Sequence, residues 1–247
     1  MTEQDLQIPM SGGTADAILF SPSRSTPLPG VLHLPDIGSI REAHCSMARR
    51  LSAEGYAVLL VNPFYRISRP PVFDFPRSSG DPRTMERMAE LVAPLTPGAQ
   101  QQDLATYIDF LTAQPAVRRG PIGAVGYCFG GALALRAAAI RSSQVAAVAS
   151  FHGGGLYKAD DPFSPHLVLP QVMARLYFGH AVNDKSMNAA AIEGFEQTLA
   201  NWGGSYGSET YEGAFHSWTV PDSPVFNPEQ ADRAFHKLTE LLAAALG

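Results

Sequence analysis

The chain has 247 residues, of which 45% are hydrophobic and 17% are charged, and its formal net charge is -5. This length and composition predict one globular domain over residues 1–247 with a sizeable apolar core. The mild acidity, without any run of lysines or arginines, argues against a nucleic-acid or anionic-membrane partner, because both need a basic surface.

The N-terminus and the cysteines bear on location and cofactors. The first residues include acidic ones and no long apolar run, unlike a signal peptide, and no stretch of the chain approaches a membrane span in length. The only two cysteines, Cys45 and Cys128, do not make a disulfide framework, and no CxxC or HExxH spacing indicates a metal site. We therefore expect a cytoplasmic protein that uses neither a metal nor another cofactor.

Taken in chain order, apolar runs with strand character alternate with segments of helical periodicity. Strands are predicted at residues 14–21, 30–35, 56–62, 121–127, 144–152, 172–180 and 205–213. Helices are predicted at residues 41–55, 102–111, 131–140, 187–202 and 228–246. Such alternation is typical of an α/β protein with a mostly parallel twisted sheet and helices on both faces.

Two segments rich in proline or glycine, residues 63–87 and 153–170, interrupt this alternation. Both follow predicted strands and are interpreted as loops. Loops after the carboxyl ends of parallel strands surround the ligand crevice of an open sheet. We therefore expect these two segments to decide which substrate fits.

The segment Gly126-Tyr127-Cys128-Phe129-Gly130 joins a predicted strand to a predicted helix. It has the pattern G-x-nucleophile-x-G of a sharp strand-to-helix turn, with cysteine as the nucleophile. The glycines would allow close backbone approach, and the strained central residue would project its thiol above the sheet. The helix N-terminus would stabilise a thiolate, and the Phe129 N–H would point towards a carbonyl oxygen. A buried core cysteine is the alternative interpretation.

A hydrolase triad built on such a turn runs in the order nucleophile, acid, histidine. Asp184 follows the predicted strand at 172–180, where a carboxylate would hold an imidazole in one tautomer; taken alone, it also fits a turn or helix-cap residue. His216 lies in the loop after the last predicted strand, and among the seven histidines it alone has the right order and the right kind of loop. The others are His33 in a strand, His44 and His236 on helices, and His152, His166 and His180 in crevice loops.

The loop after the predicted strand at 30–35 is the expected source of a second oxyanion donor. Its sequence is Leu-Pro-Asp-Ile-Gly, and the backbone N–H of Ile37 is the candidate. Asp36 beside it has more than one interpretation. Its carboxylate would take the proton of Cys128, hold the resting thiol neutral, or only cap and shape the loop.

Four segments resemble the dienelactone hydrolase family, and the resemblance spans nearly the whole chain. They are LPDIG, GYCFGGALAL, GHAVNDKSM and YEGAFHSWTVPDSPVFN. The resemblance implies an α/β-hydrolase fold and a triad of Cys128, Asp184 and His216. It also implies that Ile37 and Phe129 donate to the oxyanion.

The chain departs from the family pattern at several positions. Asp36 stands where well-studied members have a glutamate that is thought to activate the cysteine. Trp218 lies just after the histidine, where a phenylalanine is more usual, so a different pocket wall is expected. The arginine that binds a substrate carboxylate has three candidates, Arg83, Arg87 and Arg66, each of which also fits a surface role.

These patterns predict an esterase or lactonase that works through a thioester acyl-enzyme on Cys128. The expected partner is a small-molecule ester or lactone, and the expected assembly is a monomer or a small homo-oligomer. The alternative function is a non-catalytic binding or redox-sensing protein on a hydrolase scaffold, with Cys128 as its responsive thiol.

Overall fold

The computed structural model describes residues 1–23, 26–78 and 80–247, and its centre is an eight-stranded sheet. The strands are β1 (Thr2–Met10), β2 (Gly13–Ser21), β3 (Gly30–Leu34), β4 (Ala57–Val61), β5 (Ile122–Tyr127), β6 (Val145–Phe151), β7 (Arg175–Ala181) and β8 (Tyr206–Tyr211). The helices are α1 (Glu42–Ala53), α2 (Pro82–Val92), α3 (Pro97–Thr112), α4 (Phe129–Ile140), α5 (Ala189–Trp202) and α6 (Pro228–Leu246), with a 3₁₀ helix at Pro165–Gln171.

The strands lie side by side in the order β1-β2-β4-β3-β5-β6-β7-β8. From β4 to β8 in this order every pair is parallel, whereas β2 pairs antiparallel with both β1 and β4. Parallel neighbours need crossover connections, and the helices supply them. The mostly parallel sheet predicted from the strand–helix alternation is confirmed.

Helices cover both faces of the sheet. On one face α1 and α6 bury side chains such as Leu51 and Leu238. On the other, α3, α4 and α5 bury side chains such as Tyr107, Leu135 and Phe195. The strands β3, β4 and β5 are buried at every residue. Covered faces explain why these strands are continuous apolar runs in the sequence and do not alternate.

The structure contains three elements that the sequence does not predict: β1, α2 and the 3₁₀ helix. β1 is a largely exposed edge strand with many polar residues, so it lacks the apolar run of the inner strands. α2 lies partly in the segment 63–87, and the loop prediction there is wrong from Pro82 onward; Ser79 in that segment lies outside the described residues. The helix start had a local signal, since Asp81 caps it by accepting from the Thr84 N–H at 2.7 Å.

The parallel sheet determines where the predicted site residues meet. The carboxyl ends of β3, β5, β7 and β8 lie at the same edge. Asp36 follows β3, Cys128 follows β5, Asp184 follows β7 and His216 follows β8. His180 was expected in a crevice loop, but it lies inside β7, where the strand continues to Ala181.

The turn after β5 allows a test of the packing. Gly130→Ala should lower the free energy of unfolding by about 1–3 kcal/mol or more, because the added Cβ would lie 2.2 Å from the Leu34 carbonyl oxygen. Chemical denaturation measures the loss. Gly98→Ala is the control, since a Cβ there meets no atom within 4 Å, and alanine in a helix is favoured over glycine by about 0.5–1 kcal/mol. A Gly130→Ala protein as stable as the unsubstituted chain would contradict this packing.

Candidate active site

Cys128 lies in the sharp turn between β5 and α4, with φ 53° and ψ -117°. A positive φ is unfavourable for a residue that carries a side chain, so the surrounding structure must impose it. The flanking glycines show how: a Cβ on Gly126 would lie 2.0 Å from the Gly130 carbonyl oxygen. The turn has no room for side chains at these two positions, as the G-x-C-x-G pattern predicts.

Hydrogen bonds fix the backbone of Cys128 on both sides. Its N–H donates to the Phe151 carbonyl and to Nδ1 of His152, each at 3.1 Å. Its carbonyl oxygen accepts from the N–H groups of Gly131 at 3.0 Å and of Gly154 at 3.1 Å. The turn that presents the thiol is therefore bound to the end of β6 as well as to α4.

The side chains of Cys128, His216 and Asp184 form a continuous row. Nε2 of His216 lies 3.0 Å from Sγ of Cys128, and Nδ1 lies 2.6 Å from Oδ2 of Asp184. The other carboxylate oxygen of Asp184 accepts from the Ser186 N–H at 2.8 Å and from its hydroxyl at 2.7 Å. The fold thus brings together three side chains that the sequence places in three separate loops.

The row favours a charged His216. Burial disfavours the charged form, but the interactions of His216 with Cys128 and Asp184 outweigh burial and raise the pKa of His216 to about 10. Burial likewise disfavours a charged Asp184, but His216 and Ser186 lower its pKa to about 2. His216 therefore stabilises the fold fully below pH 6.5 and loses this effect as the pH rises to about 10. Asp184 stabilises it fully above pH 3.8 and loses this effect as the pH falls to about 2.

The ring of His152 is hydrogen-bonded to the backbone of the turn at Cys128. Its Nδ1 accepts the N–H of Cys128, so its proton is on Nε2, which lies 2.7 Å from the Thr219 hydroxyl. Burial holds the pKa of His152 well below its usual value, and the nearby His216 adds to the effect. Sequence reasoning assigns His152 a plain loop role, because nothing in the local pattern shows that its ring reaches the cysteine backbone.

The two predicted oxyanion donors lie on neighbouring segments. Phe129 is the first residue of α4, so its N–H is one of the helix N-terminal groups that have no partner within the helix. Ile37 packs in an apolar cluster with Phe64, and the ring of Phe129 lies 5.5 Å from that of Phe64. The β3–α1 loop (residues 35–41) and the Cys128 turn are thus held against the same cluster.

The model of the dienelactone hydrolase family matches residues 15–246. The chain belongs to the dienelactone hydrolase family. A relative from Synechocystis sp., named "Putative carboxymethylenebutenolidase", is 24% identical over 220 residues, which cover 88% of this chain and 87% of that protein. The family assignment identifies the chain as a hydrolase.

Solved structures show that the fold is the α/β-hydrolase fold. A structure titled "Putative Dienelactone Hydrolase" from Klebsiella pneumoniae superposes with a TM-score of 0.86 at 20% identity, covering 98% of each chain. A dienelactone hydrolase-like promiscuous phosphotriesterase from metagenomic libraries superposes with a TM-score of 0.83 at 20% identity, covering 100% of this chain and 99% of that one. At these identities the likeness establishes the fold alone.

In the described part of the chain, no helix has both the length and the apolar character that crossing a membrane requires. Within the same residues, no group of three or more histidine, cysteine or acidic side chains is arranged to hold a metal ion.

In this member of the family, the carboxylate of Asp36 is hydrogen-bonded within the β3–α1 loop, next to Ile37. Arg41 donates to Oδ1 of Asp36 at 2.7 Å and to Oδ2 at 2.8 Å, and the Gly38 N–H donates to Oδ1 at 2.7 Å. Burial disfavours the charged Asp36, but His44 and Arg41 hold its pKa well below the usual value. No hydrogen bond joins Asp36 to Cys128 among the described residues. The contacts support the interpretation in which Asp36 shapes the loop.

Arg41 connects two loops of the site. Besides Asp36, it binds both carboxylate oxygens of Asp222, at 2.7 and 2.9 Å. Asp222 belongs to the β8–α6 loop (residues 212–227), which also carries His216. Sequence reasoning misses Arg41, because an arginine at the start of an amphipathic helix is typical of a surface residue.

The three arginines proposed for a substrate carboxylate make other contacts. Arg83 pairs with Asp74 at 3.4 Å, and its side chain is 65% exposed. Arg87 pairs with Glu90 at 2.8 Å, and Arg66 pairs with a buried aspartate of α3. None of these contacts is with Cys128 or with the β3–α1 loop, so the structure does not bring these arginines together with the row.

Arg77, which no sequence pattern singles out, lies beside the β3–α1 loop. A Cβ added to Gly38 would lie 2.9 Å from Cζ of Arg77. Nη1 of Arg77 is 4.0 Å from Oδ1 of Asp36. Its side chain is 29% exposed. The segment 63–87 offers several arginines among prolines and aromatics, and no periodic pattern there shows which one turns inward.

Trp218 does not form the pocket wall that the sequence comparison predicts. It is fully buried, stacked on Tyr211 at 4.9 Å between ring centroids and edge-on to His152 at 5.0 Å. An indole needs a large apolar space, and the core beneath the β8–α6 loop provides it. Trp218 therefore packs behind His152 in the core and presents no surface to a substrate.

The charge pairing can be measured directly. Cys128→Ala should lower the pKa of His216 from about 10 by about 1–3 units, because the imidazole loses Cys128, the neighbour that raises its pKa most. A pH titration of the histidine ring nitrogens by NMR follows this change. Cys45→Ala is the matched control, since Cys45 lies in α1 away from the row. If His216 titrates identically in all three proteins, Cys128 and His216 do not form a charge pair.

Proposed function

We propose that this protein hydrolyses a small ester or lactone, with Cys128 as nucleophile, His216 as general base and Asp184 as the group that orients His216. The observation that carries the proposal is the row of contacts from the sulfur through both imidazole nitrogens to the carboxylate, at 3.0 and 2.6 Å. The order of the three residues along the chain is that of an α/β-hydrolase triad. Membership of the dienelactone hydrolase family supports the same assignment.

In the first half of the proposed reaction, the Cys128 thiolate attacks the carbonyl carbon and a C–S bond forms. The electron pair of the C=O bond moves to oxygen, where the N–H groups of Ile37 and Phe129 donate to it. Losing one such donor typically lowers the rate by about 100- to 1000-fold. The C–O bond then breaks, the leaving alcohol or enol takes a proton from His216, and a thioester remains on Cys128.

Water completes the cycle. Neutral His216 takes a proton from water, the hydroxide adds to the thioester carbonyl, and the thiolate leaves as the acid is released. Because a thiolate leaves more easily than an amine, an amide substrate would tend to expel the cysteine again. Enol esters and strained lactones, whose leaving groups are activated, suit a cysteine nucleophile better.

The position of Arg77 supports a substrate that carries a carboxylate. Its guanidinium lies beside Gly38, the neighbour of the proposed donor Ile37. Arg41 already binds two carboxylates, whereas the acidic oxygen nearest Arg77 among its described ion pairs is 4.0 Å away. The name of the Synechocystis relative describes a lactone that bears a carboxyl group. We propose that Arg77 binds such a group in this protein.

A redox-sensing function is the second candidate. His216 Nε2 lies 3.0 Å from the Cys128 sulfur, where it can accept the thiol proton, and thiolates are the form that peroxide oxidises. Asp36, bound to Arg41, does not add an activating group. The two functions differ in one measurable respect: only a hydrolase turns over an ester.

Substitution of the row tests the hydrolase function. Cys128→Ala should abolish turnover of p-nitrophenyl esters and lactones, because no thioester can form. His216→Ala should lower kcat/KM by about 1000-fold or more, and Asp184→Asn by up to about 10,000-fold, since an asparagine permits the wrong imidazole tautomer. Initial rates over a panel of substrates measure these losses, and intact-protein mass spectrometry should detect an acyl adduct on the unsubstituted chain.

Cys45→Ala is again the control, and it should retain the activity of the unsubstituted chain. Circular dichroism of every variant shows that the fold is intact. If the unsubstituted chain and Cys128→Ala are equally inactive over the whole panel while peroxide rapidly oxidises Cys128, the hydrolase proposal fails and the redox-sensing function gains.

The role of Arg77 has its own test. Arg77→Met should raise KM about tenfold or more for a lactone that carries a carboxylate, because one charge-assisted hydrogen bond contributes about 1.5–3 kcal/mol. It should leave KM unchanged for a neutral ester with the same leaving group. Arg83→Met, at an exposed arginine paired with Asp74, serves as the control. Equal KM changes for acidic and neutral substrates would show that Arg77 does not bind the substrate carboxylate.

A further inference from the structure

A cavity of about 240 Å³ lies between α1 and α6 on the face of the sheet opposite α4. Tyr127 and Phe151, at the ends of β5 and β6, form its floor. The β8–α6 loop closes one side with Thr219 and Phe226. None of the three proposed catalytic residues lines it. It is therefore a separate space, although it shares a loop with the row.

The lining of this cavity is mainly aromatic and aliphatic. Phe151, Phe226 and Phe235 contribute rings, and Leu51 and Leu238 contribute aliphatic surface. An apolar protein cavity of about 150 Å³ is large enough to hold benzene. The cavity between α1 and α6 therefore has room for one aromatic ring with a small substituent.

One hydroxyl in the cavity lining is free to bind a ligand. Tyr127 lines the cavity and is 5% exposed, and no hydrogen bond joins its hydroxyl to another described residue. Arg50, the one charged residue of the lining, belongs to the same cavity. A ligand oxygen in the cavity would hydrogen-bond this hydroxyl in place of water.

The charged residues at the cavity mouth indicate that its ligand is neutral. Arg50 is already paired with Asp232 at 2.7 Å, and its guanidinium stacks on the ring of Phe235 at 3.8 Å. No other charged side chain lines the cavity. An anionic or cationic ligand would have to give up its hydration without a counter-charge, so a neutral one is favoured.

We propose that this cavity binds a small neutral aromatic molecule that carries one hydroxyl or carbonyl oxygen. Its ring packs against Phe151 and Phe235, and its oxygen hydrogen-bonds the Tyr127 hydroxyl. The site does not depend on the hydrolase function proposed above, because none of its contacts is with Cys128, His216 or Asp184.

Phenol and toluene, which have the same shape, are suitable probes. Calorimetric titration should show one phenol site per chain, with phenol bound more tightly than toluene. Ala231→Leu on α6 and Ser46→Leu on α1 fill the cavity from opposite walls, and each should weaken phenol binding tenfold or more. Ala244→Leu, at an exposed position of the same helix, should leave phenol binding unchanged.

Tyr127→Phe isolates the hydrogen bond. It should weaken phenol binding by about 2- to 10-fold, the effect of one neutral hydrogen bond, and leave toluene binding unchanged. Circular dichroism verifies that each variant is folded. The proposal is overturned if phenol shows no saturable binding, if Ala231→Leu and Ser46→Leu bind it as tightly as Ala244→Leu, or if Tyr127→Phe binds both probes like the unsubstituted chain.

Discussion

The backbone conformation of Cys128 is the constraint on which the site depends. A positive φ of 53° costs about 1–3 kcal/mol by itself. It persists because two glycines let α4 lie against the ends of β3 and β5, and because Phe151 and His152 bind the cysteine N–H. The packing of α4 against the sheet therefore fixes the direction in which the Cys128 side chain points. Loosening the contact of α4 with β3 and β5 would move the sulfur away from His216.

Charge adds to this geometry through the neighbours of His216. The imidazole of His216 has Cys128 on one side and the Asp184 carboxylate on the other, and both neighbours raise its pKa. The ring of His152 lies 5.3 Å from that of His216, where a second cation would cancel part of the effect. Burial keeps His152 neutral. Because His152 stays neutral, it does not oppose the positive charge of His216.

The sequence predicts the parts of this structure that follow from local pattern. Apolar runs and helical spacing predict the parallel sheet, and the glycines around Cys128 predict the turn. Contacts between distant side chains are not encoded in that way. Arg41 and Asp222 are 181 residues apart, and neither has a neighbour in sequence that shows the pairing. Trp218 is misjudged for a related reason, since an aromatic residue after a site histidine fits a pocket wall and a buried support equally well.

Arg41 has a consequence for how this scaffold tolerates change. Arg41 hydrogen-bonds both Asp36 and Asp222, so it joins the β3–α1 loop to the β8–α6 loop, two segments that are far apart in the sequence. A graft of either segment into another scaffold would need to bring the matching aspartate with it. Libraries aimed at new substrates would therefore leave Arg41, Asp36 and Asp222 unchanged.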